Sequence, residues 1–144
     1  MTVLVDSNIL INFLMEEHSV VQKIDEIVNK KIPLFISVIS IYEVYLGIIA
    51  NLYLKAGRPS KVPELLATYE QFLMKCCILN FTREAAEKAA TIFAESQGKG
   101  ITIKEKDCQI AGIALVHGIS EVFTKIKQDF SKIFDLTDLK YSSY

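Results

Sequence analysis

The segment that most constrains the fold is Thr-Val-Leu-Val-Asp-Ser-Asn-Ile-Leu-Ile at residues 2–11. Its β-branched apolar run predicts a short strand that is buried on both faces, as in a parallel sheet. The Asp-Ser-Asn that follows is typical of a strand-to-helix turn, and apolar residues then recur at helical spacing. Asp6 is therefore predicted at the carboxyl end of the first strand, where open α/β sheets bind their ligands.

The rest of the chain alternates predicted helices with short predicted strands. Helices are predicted over 19–31, from Ser40, over 65–73, 85–94 and 103–117, and strands over 33–37, 76–79 and 121–124. Gly57–Ser60 is predicted to be the bend of a helical hairpin, Phe130 and Ile133 a short amphipathic turn, and 135–141 a fifth, edge strand. The alternation predicts a three-layer α/β/α fold around a parallel, five-stranded sheet.

Length and composition predict one globular domain over residues 1–144. The chain is 51% hydrophobic and 23% charged, and its net charge of −1 gives no global basic field for nucleic acid. A nucleic-acid partner would have to be held by a local patch. Asp6 interrupts the apolar start, and no apolar run approaches the roughly 18 residues of a membrane span, so we expect a cytosolic protein without a membrane partner. The cysteines, Cys76, Cys77 and Cys108, fit neither a disulfide framework nor a zinc spacing.

Four acidic residues are predicted to reach the carboxyl edge of the sheet. Asp6 ends the first strand, Glu43 and Asp107 lie early in returning helices, and Asp129 follows the fourth strand. Gathered carboxylates repel one another unless a proton, a base or a divalent cation offsets the charge. All-oxygen ligation favours Mg²⁺ or Mn²⁺, and a cation so held suits the activation of water for phosphodiester cleavage.

Each acid also has a purely structural interpretation. Asp6 could cap the first helix, Asp107 would favour a helix dipole, and Asp129 could be a solvated surface acid. Two segments, Ser40–Glu43 and Thr102–Glu105, fit the capping box, which makes Glu105 the weaker metal candidate. Taken together, four separate structural roles explain the four acids poorly. Glu43, the glutamate of the first box, lies in an apolar stretch where an unpaired charge is costly.

Three segments resemble the motifs of PIN-domain proteins. They are Val-Leu-Val-Asp-Ser-Asn-Ile-Leu-Ile at 3–11, Ile-Ser-Ile-Tyr-Glu-Val-Tyr-Leu-Gly at 39–47, and Asp-Cys-Gln-Ile-Ala-Gly-Ile-Ala at 107–114, which is followed by His117 and Gly118. Their order and spacing span nearly the whole chain. The nearest subgroup is the VapC-like toxins of type II toxin–antitoxin pairs. The resemblance implies a metal-dependent ribonuclease that forms a homodimer and is inhibited by a cognate antitoxin.

The resemblance also implies roles for individual residues. Asp6, Glu43 and Asp107 carry over as metal-binding catalytic carboxylates, the Mg²⁺ or Mn²⁺ then activating the attacking water. Ser7 would be a supporting hydroxyl contact, and Thr124 belongs to the fourth motif.

The fourth motif departs from the family pattern. It keeps Thr124 and the pair Asp129–Phe130, but Ile126 occupies the position where Asn or Asp is common. Asp129 is the candidate that would supply the missing oxygen. The alternative is a PIN-like scaffold, impaired in catalysis, that binds a protein or RNA without cutting.

Two further surfaces are predicted on softer grounds. Four lysines flank the third and fourth acids and could hold RNA phosphates, although a solvated charged face is the commoner explanation for such residues: Lys104, Lys106, Lys125 and Lys127. The predicted hairpin between Ile48 and Leu73 could present a groove for an antitoxin segment, although core packing would use many of the same residues.

Overall fold

The computed structural model describes residues 1–54, 61–125 and 127–143, so the predicted bend at Gly57–Ser60 lies outside the described residues. The strands are β1 (Val3–Val5), β2 (Leu34–Ser37), β3 (Cys76–Leu79), β4 (Glu121–Phe123) and β5 (Lys140–Ser142). The helices are α1 (Ser7–Leu14), α2 (His18–Asn29), α3 (Val38–Leu54), α4 (Lys61–Met74), α5 (Arg83–Gly98), α6 (Glu105–Val116) and α7 (Lys127–Thr137).

The five strands form one parallel sheet in the order β3-β2-β1-β4-β5. β1 is the central strand, with β2 on one side and β4 on the other. The ladder between β1 and β4 is continued by the Asp6 N–H, which donates to the Phe123 carbonyl over 3.0 Å. The first predicted acid is therefore fixed at the middle of the carboxyl edge.

Helices cover both faces of the sheet, which confirms the predicted three-layer α/β/α architecture. Val3 and Val5 point into a cluster with buried residues of α1 to α4, whereas Leu4 points into a second cluster with residues of α5, α6 and α7. This alternation follows from the period of two in a strand. It explains why β1 is apolar at every position rather than at every second one.

The two predicted capping boxes are wrong. α3 begins at Val38, and the side chain of Ser37 accepts the Ser40 N–H over 3.1 Å, so Ser40 lies inside the helix. The register pairs Ser37 with Leu79, so β2 runs directly into the helix. α6 has Lys104 at its N-cap without a side-chain cap bond, which makes Glu105 its first helical residue instead of its third.

Two features near the end of the chain differ from expectation. Phe130 and Ile133 belong to α7, a helix of 11 residues, where only a short turn was predicted. Both side chains are fully buried against the sheet, and this burial stabilises the longer helix. The fifth strand begins at Lys140, at the end of the predicted range. Within the described residues, no helix is both long and apolar enough to cross a membrane.

Candidate active site

Asp6 lies between β1 and α1 and is 4% exposed. Its Oδ1 accepts a hydrogen bond from the Ser7 N–H over 2.8 Å, and the Ser7 hydroxyl is 3.5 Å from the same oxygen. The carboxylate thus caps α1, as the structural interpretation predicted, and it also lines a cavity at the carboxyl edge of the sheet. The two interpretations are compatible.

The second carboxylate oxygen of Asp6 is held by two side chains. Thr124 donates its hydroxyl to Asp6 Oδ2 over 2.9 Å, and Asn8 donates from Nδ2 to the same atom over 3.3 Å. The Asn8 side-chain oxygen in turn accepts the Lys125 N–H over 3.1 Å. Asn8 therefore ties the start of α1 to the segment after β4. This role of Asn8 was not predicted from the sequence, where its only signal is an amide side chain two residues after Asp6.

One open cavity of about 440 Å³ collects the predicted acids. It is lined by the four candidates, which come from the end of β1 and from α3, α6 and α7: Asp6, Glu43, Asp107 and Asp129. Ser7, Asn8, Lys104, Glu105 and Lys106 are also among its lining residues. Residues separated by more than a hundred positions share this surface because the parallel sheet places strand ends and helix starts at one edge.

Glu43 lies at the rim of the cavity and is half-buried. Its neighbour Val44 is 1% exposed and belongs to the core, whereas Tyr42 is 58% exposed. The sequence suggested that apolar side chains surround the Glu43 charge; this holds on the side of Val44, which is buried, but not on the side of Tyr42, which is exposed. Glu43 lines the cavity with the other acids, and its intermediate burial leaves part of the residue in contact with solvent.

Asp107 and Asp129 occupy the first turns of α6 and α7. The positive end of each helix dipole favours a carboxylate there. The two side chains lie close enough for a hydrogen bond between them, which would require a proton on one carboxyl group, and this proximity contributes to the raised pKa of Asp107. This contact joins the third predicted acid to the acid of the altered fourth motif.

The cavity raises the pKa of two carboxyl groups. Burial raises the pKa of Asp6, the hydrogen bonds from Thr124 and Ser7 lower it, and the charge of Glu43 raises it again. The pKa of Asp107 is raised to about 8: burial is the largest cause, the charge of Asp6 and the proximity and charge of Asp129 add to it, and the charge of Lys104 lowers it in part. At Asp6 and Asp107, desolvation and the repulsion of neighbouring carboxylates thus favour protonation or a bound cation.

Two of the four predicted phosphate-binding lysines line the cavity. Lys104 Nζ is 3.9 Å from Asp129 Oδ2, and Lys106 Nζ lies 5.2 Å from the centre of the Tyr42 ring. Lys125 forms an ion pair with Glu17 at 3.9 Å and is absent from the cavity lining. The side chain of Lys127 lies outside the described residues.

The chemistry of the donors fits a hard divalent cation, because the described residues that line the cavity include carboxylates but neither histidine nor cysteine. Over residues 1–54, 61–125 and 127–143, no three acidic, histidine or cysteine side chains stand close enough together to hold a metal ion. The acids share a cavity without converging on one point. Ion binding would therefore require carboxylates to rotate toward one another.

Solved structures of toxin–antitoxin complexes share this fold. A chain of VapBC2 from Rickettsia felis, bound to a DNA fragment from the promoter, has a TM-score of 0.80 at 19% identity, with 100% of this chain and 99% of that chain covered. DNA-bound VapBC from Salmonella typhimurium has a TM-score of 0.80 at 22% identity, covering 99% and 98%. VapBC-5 from Mycobacterium tuberculosis, described as a member of the VapBC family of toxin–antitoxin systems, has a TM-score of 0.67 at 20% identity, covering 99% and 98%.

Sequence comparison identifies the family more directly than these structural likenesses do. None of the curated proteins matches the chain. The family model described as PIN domain matches residues 3–133, which includes all four acids of the cavity. By that match, and by a fold in which the three motif acids line one cavity, the chain belongs to the PIN domain family.

Proposed function

We propose that this protein is a Mg²⁺- or Mn²⁺-dependent endoribonuclease. The observation that carries the proposal is the arrival of Asp6, Glu43, Asp107 and Asp129 from four separate elements at one cavity with lysines at its rim. Four acids on one open surface are costly for a protein that does not use them, because each raises the energy of charging the others. Membership of the PIN domain family supports a nuclease, and the motif resemblance supports RNA as the substrate.

The residues divide the work by their positions. Asp6 is held rigidly by Ser7, Asn8 and Thr124, so it would be the fixed ligand. The other three acids of the cavity would complete the coordination by rotation: Glu43, Asp107 and Asp129. When bound, the cation supplies a Lewis acid that lowers the pKa of an attacking water and neutralises charge on the phosphate. Lys104 and Lys106 would hold the flanking phosphates of the RNA.

We also infer that a protein partner controls the activity, as in a toxin–antitoxin pair. The complexes of similar fold are VapBC assemblies, and an apolar groove of about 110 Å³ lies between α1, α3 and α4, lined in part by Leu14, Met15, Ile48 and Leu65. Ile11 lines both this groove and the acidic cavity. A segment of the antitoxin lying in the groove would reach the acids and exclude RNA.

A homodimer, implied by the motif resemblance, is part of the same proposal and is tested by sedimentation velocity. If the purified chain sediments as a monomer at micromolar concentration, the homodimer proposal is overturned and the nuclease proposal is unaffected.

A scaffold that binds without cutting is the second candidate. It is favoured by the lack of three converged ligands among the described residues and by Ile126, which itself lies outside them. The two candidates differ in what they do with RNA: the nuclease should bind a divalent metal ion and cleave RNA, whereas the scaffold should bind without cleavage.

The proposal is tested by titration calorimetry with Mn²⁺ and by cleavage of a single-stranded RNA with the same preparations. Asp6→Asn and Asp107→Asn should each abolish measurable Mn²⁺ binding and lower cleavage by about a hundredfold or more, because each removes a charged ligand. Circular dichroism melts check that both variants fold.

Glu105→Gln is the matched control, because Glu105 lies in the same cavity and the same helix turn as Asp107. It should leave Mn²⁺ binding and cleavage within a few-fold of the parent protein. Cleavage that survives both aspartate changes would overturn the metal-carboxylate proposal. RNA binding without any metal-dependent cleavage would establish the scaffold instead.

A further inference from the structure

The surface beside the acidic cavity carries an exposed tyrosine that the fold does not use. Tyr42 is 58% exposed and belongs to neither hydrophobic cluster of the described residues. Tyr45, one helical turn further along α3, is 49% exposed, but its ring lies 6.2 Å from that of Tyr69. Packing against Tyr69 therefore partly explains an aromatic ring at Tyr45, whereas the hydrophobic clusters give little explanation for the ring of Tyr42.

Tyr42 is joined to the cavity on two sides. It directly precedes Glu43, which lines the cavity, and the Lys106 ammonium lies 5.2 Å from the centre of its ring. Lys106 itself lines the cavity from the first turn of α6. The ring thus adjoins two residues that line the cavity, Glu43 in sequence and Lys106 in space. More than half of Tyr42 stays exposed with Lys106 in place, which leaves room for another planar group.

We propose that Tyr42 is a stacking platform for a base of single-stranded RNA next to the cleaved phosphodiester, with Lys106 contacting an adjacent phosphate. The inference rests on the proposed ribonuclease function and deepens it by naming a residue that contacts a base of the substrate. Aromatic rings bind single strands because every unpaired base offers a π-face, whereas bases in a duplex are already stacked. A lysine beside the ring supplies the phosphate contact that such sites combine with stacking.

The absence of tryptophan from the sequence allows a direct test of contact. Tyr42→Trp introduces a sole tryptophan at the proposed platform, and Tyr45→Trp introduces one on the same helix as a matched control. Both are made with Asp6→Asn, so that RNA is not consumed. Addition of a mixed-sequence RNA of about 12 nucleotides, without self-complementarity, should quench the fluorescence of the Tyr42 variant and leave that of the Tyr45 variant unchanged.

Affinity gives the second readout. With the same RNA, Tyr42→Leu should raise Kd about tenfold, whereas Tyr42→Phe and Tyr45→Leu should stay within about twofold of the parent. The salt dependence should not change in Tyr42→Leu, while Lys106→Gln should reduce the slope of log K against log salt by about 0.7, the value for one phosphate on a single strand. A duplex of the same sequence should not distinguish Tyr42→Leu from Tyr42→Phe.

The outcomes separate this inference from the proposed function. If the parent protein neither binds nor cuts RNA, the ribonuclease proposal fails, and the inference fails with it. If the parent cuts RNA but Tyr42→Leu and Tyr42→Phe bind the single strand equally well, only the stacking inference is overturned. Equal quenching of the two tryptophan variants would overturn it as well. Loss of dimer or partner binding in Tyr42→Leu, with RNA affinity unchanged, would assign the ring to a protein interface.

Discussion

The Thr124 hydroxyl donates a hydrogen bond of 2.9 Å to Asp6 Oδ2 across 118 positions of sequence. Both residues are buried, and they follow the ends of two paired strands, β4 and β1. The pairing of β1 with β4 therefore sets the geometry of the first acid. A residue of the altered fourth motif takes part in the site through this bond, independently of Ile126.

Thr124→Val should destabilise the protein, because it leaves a buried carboxylate oxygen with one donor fewer. The hydrogen bond from Thr124 lowers the pKa of Asp6, so its loss should also favour the protonated acid and weaken Mn²⁺ binding. We expect the free energy of unfolding, measured with urea near neutral pH, to fall by about 1.5–3 kcal/mol, the range for hydrogen bonds to charged groups. Thr124→Ser keeps the hydroxyl and should retain most of the stability. Equal stability of the valine and serine variants would contradict this account.

Gly112→Ala should destabilise the protein although alanine is the better helix former. A Cβ at Gly112 would lie 2.6 Å from the Ala85 carbonyl oxygen and 3.0 Å from the Ala89 nitrogen, both of them backbone atoms of α5. Separation of α5 from α6 should cost about 1–3 kcal/mol, and the gain of about 1 kcal/mol in helix propensity leaves a net destabilisation of up to about 2 kcal/mol. Gly98→Ala is the control, because nothing lies within 4 Å of its added Cβ. Urea unfolding of both variants measures the difference, and a stabilised Gly112→Ala would show that the two helices separate freely.

The fold was predictable because its apolar patterns are strong and local. β1 is apolar at each of its three positions, which happens when both faces of a strand are covered. Once the sheet is parallel, strand ends and helix starts share an edge. Asp6, Glu43 and Asp107 could thus be assigned to one region from their positions in the chain alone.

The details that the sequence did not reveal depend on tertiary contacts. Ser37 and Ser40 are equally good caps by type, and the extent of pairing between β2 and β3 decides between them. The role of Asn8 needs the Lys125 backbone beside it, which only the pairing of β1 with β4 provides. Whether carboxylates converge on an ion is a matter of side-chain rotation within the cavity, and no spacing in the sequence determines that.

Ile126→Asp should strengthen metal binding if the fourth motif normally supplies a ligand. The position follows Thr124 by two residues, and related motifs carry Asn or Asp there; Ile126 itself lies outside the described residues. Addition of a carboxylate oxygen should tighten Mn²⁺ binding about tenfold, or about 1.4 kcal/mol, in titration calorimetry. Ile126→Val is the control for a change in side-chain volume. A gain of cleavage from an inactive parent would support the scaffold interpretation, and an unchanged affinity would show that Asp129 already fills the role.

The metal-free protein should lose stability as the pH rises toward 8. Burial first of all, and then the negative charges of Asp6 and Asp129, together raise the pKa of Asp107 to about 8 from an ordinary value of 3.8. Between these two values the unfolded chain has released the proton while the folded protein still holds it. The unfolded state is therefore favoured increasingly as the pH rises, by up to about 1.4 kcal/mol per pH unit, and the effect levels off above the folded pKa.

Urea unfolding in EDTA, at several pH values between about 6 and 8, tests this relationship. Asp107→Asn resembles the protonated acid without titrating, so it should show a shallower fall and exceed the parent in stability at the upper end of the range. Asp135→Asn, at an exposed position of α7, should keep the slope of the parent. Because all other titrating groups are common to the three proteins, their contribution to the slope cancels in the comparison.

Saturating Mn²⁺ should reduce the loss of stability with rising pH, because the cation binds the deprotonated carboxylates and stabilises the folded state more as the pH rises. Identical slopes for the parent and Asp107→Asn would show that Asp107 is already ionised throughout this range.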